Sequence, residues 1–125
     1  MLRTLAVCLA CASFAACSGV AAQCKTETVT GKVVDLVCYA KNKANTELDH
    51  EEGRVCAIAC VKWEGNPAGI VTADGKAYQL TGAVLGKNNS KIAAHLAHTV
   101  TITGAVFEKD KMTMLSADDL TMVKP

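Results

Sequence analysis

Thr26-Glu27-Thr28-Val29-Thr30-Gly31-Lys32-Val33-Val34-Asp35-Leu36-Val37 is a β-branched run with a glycine at its centre. Such a run reads as an extended strand, and a glycine inside it marks a bulge or a close backbone approach. The pattern returns near the other end of the chain. Thr101-Ile102-Thr103-Gly104-Ala105-Val106 echoes Thr28-Val29-Thr30-Gly31-Lys32-Val33, within a second strand predicted over Thr99–Phe107. Two long strands with central glycines suit a small barrel, because each must curl sharply to serve both sheets.

Between them lies a hairpin, Gly69–Ala73 and Lys76–Leu80, around the turn signal Asp74-Gly75. Asn89 is placed to cap a short helix over Ser90–Ala97, with Ile92, Ala93 and Leu96 on one face. A polar turn at Glu108–Lys111 leads to a strand at Met112–Leu115 and a last strand near Leu120–Val123. Five strands with a helix between the third and fourth is the order of an oligonucleotide/oligosaccharide-binding (OB) barrel. The runner-up is another small β-sandwich with an appended helix.

The chain has 125 residues, and its first 22 read as a secretory signal peptide. Arg3 gives a charged start, Thr4–Cys17 is apolar, and Val20 and Ala22 are the small residues before the cut. This leader is too short and too poorly flanked for a membrane span. A competing route makes Cys17 the anchor of a lipoprotein, although Phe14 is bulky for that motif. Either route predicts export to the periplasm or the exterior, where disulfides persist. Residues 23–125 form one small domain with 12 Lys/Arg against 12 Asp/Glu. That zero balance, with only Tyr39, Trp63, Tyr78 and Phe107 as aromatics, speaks against nucleic-acid binding. No phosphate loop or nucleophile signature points to catalysis, so the chain reads as a non-enzyme, with a dithiol redox role left open.

The domain keeps four of the seven cysteines: Cys24, Cys38, Cys56 and Cys60. Three lie in an insertion, Cys38–Pro67, between the first two strands, at an end of the barrel where OB folds commonly bind ligands. Tyr39–Leu48 reads as polar loop. Asp49–Trp63 reads as a helix with Val55, Ile58, Ala59 and Lys62 at helical spacing, ended by Gly65-Asn66-Pro67. On a regular helix Cys56 and Cys60 share a face with Cβ atoms about 5–6 Å apart, whereas a disulfide wants roughly 3.5–4.5 Å. Two readings follow. In the first, Cys24 pairs with Cys56 or Cys60 and Cys38 with the other, each bridge stabilising the domain by about 2–4 kcal/mol.

In the second, Cys38, His50, Cys56 and Cys60 bind a thiophilic metal, copper or zinc. Asp49 and Glu52 resemble a capping box, which would turn His50 about 120° away from Cys56. His50 becomes a ligand if the helix starts near Gly53, whose place in a helix interior would cost about 1 kcal/mol. Such a protein would serve an unidentified cell-envelope partner. His95 and His98 read as boundary residues. Met112, Met114 and Met122 read as adaptable core packing, although Met, His and Trp63 on a small barrel also look like the Cu(I)-carrying barrels of periplasmic copper efflux. Asp118-Asp119 reads as a solvated turn.

The string Gly31-Lys-Val-Val-Asp35, Cys38, His50, Cys56-x-x-x-Cys60, Gly65, Asp74-Gly75-Lys76-x-Tyr78-x-Leu80 and Val100-Thr-Ile-Thr-Gly104 resembles a family of small exported bacterial domains of unassigned function. The resemblance spans about residues 28–123. It implies a shared set of three cysteines and a histidine, with Cys24 outside it, and this favours the metal reading.

Overall fold

A computed structural model describes residues 24–43 and 51–123 of the chain. The expectations for the leader, Cys17, Asp49 and His50 therefore lie outside the described residues, whereas the later helix start near Gly53, which would leave His50 on the approach loop, is corrected: α2 already begins at Glu51. The elements run β1 (Lys25–Asp35), α1 (Leu36–Lys41), α2 (Glu51–Lys62), β2 (Ala68–Val71), β3 (Ala77–Thr81), α3 (Ser90–Ala93), β4 (Thr99–Lys109), β5 (Met112–Ser116) and β6 (Thr121–Met122). Two single-turn 3₁₀ segments, Ala83–Leu85 and Lys87–Asn89, precede α3.

The strands close a five-stranded mixed barrel of OB type. β1 pairs antiparallel with both β2 and β4, β2 with β3, and β4 with β5, while β3 and β5 run parallel. The short β6 adds to the edge of β4, with Val100 opposite Met122.

Each long strand serves two neighbours, and its glycine stands at the changeover. β1 pairs with β4 through Lys32 and with β2 from Lys32 onward. A Cβ on Gly31 would overlap the Val71 carbonyl. β4 pairs with β1 through Val106 and with β5 from Ala105 onward. A Cβ on Gly104 would overlap the Ser116 carbonyl. Both glycines are thus sites of close backbone approach, one of the two roles read from the sequence.

The interior is filled by Val29, Val33, Ile70, Leu80, Val100, Ile102 and Leu115 from the strands and by Ile92 and Leu96 from the α3 region. Helix α2 covers the barrel with Ala57 and Val61, and Ile58 packs beside them. This corrects the expected face in part. Val55 is 58% exposed, because the close fit is made by the smaller Ala57 and by Val61. A second cluster, Val34, Leu36, Tyr39 and Val71 with Met112, lies under α1.

Three local expectations change. Leu36–Lys41 is helix rather than strand end and loop, because Asp35 accepts from the backbone N–H groups of Val37 and Cys38. Asn89 does not cap α3 through its side chain. Its backbone is left-handed, and its amide donates to the Val61 carbonyl at 3.0 Å, tying α3 to α2. Helix α3 itself stops at Ala93, and the chain turns through Ala97 at φ 68° into β4. The β2–β3 turn spans Thr72–Lys76, where Thr72 Oγ1 bonds the Asp74 carboxylate and Gly75 takes φ 86°.

Candidate functional site

Asp35 is the pivot of the insertion. It ends β1 only 3% exposed, and its carboxylate is held from several sides. Oδ1 accepts from the N–H of Val37 at 2.8 Å and of Cys38 at 3.3 Å. Oδ2 accepts from Asn66 Nδ2 at 2.9 Å and from the Cys38 thiol at 3.6 Å. A buried carboxylate satisfied in this way avoids the cost of an unpaired charge.

The same residues join α1 to the end of α2. Leu36 N–H donates to the Pro67 carbonyl at 3.0 Å, and Asn66 N–H donates to the Cys60 carbonyl at 3.1 Å. The thiols gather at this junction. Cys60 interacts with Cys56, one turn away on α2, and with Asp35, while Cys38 interacts with Asp35 and Cys60. Among the described residues no disulfide joins Cys38, Cys56 or Cys60 to another cysteine. Cys24 sits half-buried just ahead of β1.

Burial first, and then the Asp35 carboxylate, push the Cys38 thiol above its ordinary value. Burial first, then Cys56 and Asp35, do the same for Cys60. These two sulfurs are proton-holding groups at neutral pH. Reactive or redox-active cysteines have the opposite surroundings, electropositive and thiolate-favouring. A metal ion, by contrast, displaces thiol protons as it binds. Among the described residues no three His, Cys, Asp or Glu side chains stand ready-arranged around an ion. Binding through Cys38, Cys56 and Cys60 therefore calls for rotation of the thiols toward a common point.

The weaker signals separate. Trp63 is 76% exposed with Lys62 Nζ 5.0 Å above its ring. Met112 packs under α1, and Met114 is buried in β5. Met122 alone meets a histidine: its Sδ lies 3.1 Å from His95 Nδ1. His95 and His98 face each other edge-to-face, with ring centroids 5.8 Å apart. His98 Nδ1 is buried with no hydrogen-bond partner among the described residues, an arrangement that costs about 1–3 kcal/mol. Burial first, and then Arg54 and His95, hold the His98 imidazole below its ordinary value. His95 and His98 are boundary residues, as expected, but their meeting with Met122 has no local sequence signal. It depends on the pairing of β6 with β4.

Asp118 and Asp119 are exposed, and Asp119 forms an ion pair with Lys91 at 2.8 Å. Among the described residues no helix is long and apolar enough to cross a membrane. No family model, curated protein or solved structure matches the chain.

Proposed function

We propose that the chain is a small exported OB-like barrel that binds a thiophilic metal, copper or zinc. Cys38, Cys56 and Cys60 are the ligands, and the protein carries or buffers the ion for a cell-envelope partner. One observation carries the reading: the Cys38 thiol of α1 and the Cys60 thiol of α2 both lie against the Asp35 carboxylate, with Cys56 one turn from Cys60. Sulfur donors select Cu(I) and zinc over hard cations. The pattern of the leader supports export.

Titration of thiols in protein purified under oxygen-free conditions tests this. The expected result is reactive thiols that become protected when Zn²⁺ or Cu(I) is added, with protection lost in Cys56→Ser/Cys60→Ser. A protein whose oxidised mass is four hydrogens lighter, with no reactive thiol and no bound metal, would instead be a disulfide-stapled interaction module. That result would end the metal reading.

A further inference from the structure

We propose that His95, His98 and Met122 form a second site, separate from the thiols, for one soft monovalent metal ion of the Cu(I) or Ag(I) type. The three donors come from two places in the chain and are rigidly presented. Met122 is set by β6, where it lies opposite Val100 and where Val123 N–H donates to the Thr99 carbonyl at 3.1 Å. The turn carrying the histidines is tied to β1 on one side. Ala97 N–H donates to the Val33 carbonyl at 2.9 Å, and Val33 N–H donates to the His98 carbonyl at 3.0 Å. On the other side Arg54 of α2 grips it, donating from Nε to the Leu96 carbonyl and from Nη2 to the Ala94 carbonyl, each at 2.9 Å. Ligands locked by such surrounding bonds need little rearrangement to bind.

The distances fit a shared ion. With metal–nitrogen bonds of about 2.0 Å, an ion lies roughly 3.2 Å from each ring centroid. The observed separation of 5.8 Å then corresponds to a centroid–metal–centroid angle of about 130°. With a metal–sulfur bond of about 2.3 Å, the 3.1 Å between His95 Nδ1 and Met122 Sδ gives an N–metal–S angle near 90°. Opening it to tetrahedral moves the sulfur by about 0.4 Å, which Met122, 43% exposed, has room to do. An ion on His98 Nδ1 would also give that buried nitrogen a partner.

The donor set chooses the ion. Two imidazoles and a thioether make an uncharged donor set, and its soft member, the thioether, selects Cu(I) over harder divalent ions. The charged group packed against the turn is Arg54, a cation. It repels a divalent ion about twice as strongly as a monovalent one.

Silver(I), a redox-inert stand-in for Cu(I), tests the proposal directly. Long-range ¹H–¹⁵N spectra of the histidine rings are recorded on the Cys38→Ser/Cys56→Ser/Cys60→Ser chain as Ag⁺ is added. The expected result is a shift of His95 and His98 ring-nitrogen resonances, saturating at one equivalent. Met122→Leu and His95→Gln should each weaken binding by about tenfold or more. If the serine variant does not fold, the same spectra are taken on the unmodified chain, titrated past the equivalents its cysteines consume. Unmoved ring nitrogens, or equal affinity in the parent and the Met122→Leu chain, would mean that His95 and Met122 make only an N–H···S contact, and would overturn the site. Thiol protection in the unmodified chain is read separately, so either site can fail alone.

Discussion

Asp35→Ala removes the one side chain on which the whole thiol junction turns. The lost interactions are the cap on Val37 and Cys38 and the acceptor for Asn66. Losing an Asp cap costs about 1 kcal/mol. Stranding the Asn66 amide costs about 1–3 kcal/mol more. Relief of the desolvation that a buried carboxylate pays works the other way. The net expectation is a loss of about 2–3 kcal/mol in urea denaturation, or roughly 10–20 °C in Tm for a domain of this size. Asp35→Asn separates geometry from charge. Its amide oxygen keeps the cap, and Asn66 can turn its own oxygen toward the new amide nitrogen, so the cost should be less than half that of Asp35→Ala. The charge that helps to push Cys38 and Cys60 up is then gone. Their alkylation profiles should therefore move to lower pH in Asp35→Asn, but only part of the way, since burial is the larger cause and stays. Equal destabilisation by the two variants would refute the capping argument. An unchanged alkylation profile would refute the placement of both thiols against this carboxylate.

Three other outcomes follow from single features. Gly104→Ala places a methyl group against the Ser116 carbonyl at the point where β4 changes partner, so it should cost about 3 kcal/mol or prevent folding. Gly65→Ala, with open space at its Cβ and only an unfavourable φ of 74°, should cost about 1 kcal/mol in the same assay. His98 supplies a pH dependence in metal-free, chelator-treated protein. Its folded value is held below the ordinary 6.5, so below that pH the unfolded chain binds the proton first, and stability falls as pH falls. Denaturation measured between pH 7.5 and 4.5 should lose this component in His98→Gln, and an identical pH slope in the two proteins would contradict the desolvation of the half-buried ring.

The readings that succeeded rest on steric needs confined to a few residues. Gly31 and Gly104 are needed because a neighbouring carbonyl occupies the space of a Cβ. That need leaves a trace in the sequence wherever a long strand must serve two partners. The misreadings arise where a residue type has two uses. Asn89 is a good cap by type, yet its amide is spent on the Val61 carbonyl, a partner on α2. Val55 is the more hydrophobic residue, but the barrel accepts Ala57, since a helix lying close to a sheet favours the small side chain. Asp35 caps α1, but the β-branched run leading up to it makes Leu36 and Val37 read as strand.

The thiol cluster and the His–Met group differ in the same physical way. Cys56 and Cys60 meet because the helix repeat brings residues four apart onto one face, so their proximity follows from local structure. His95 meets Met122 because β6 adds to β4 in one register, with Val100 opposite Met122. A slip of one residue would turn Met122 to the other face of the strand. Helix α2 connects the two groups. Cys60, near its end, lies at the Asp35 junction, while Arg54, near its start, holds the histidine turn through Ala94 and Leu96. Ala57 and Val61 between them press the helix onto the barrel. The insertion therefore supplies the thiols itself and fixes the position of the histidine turn.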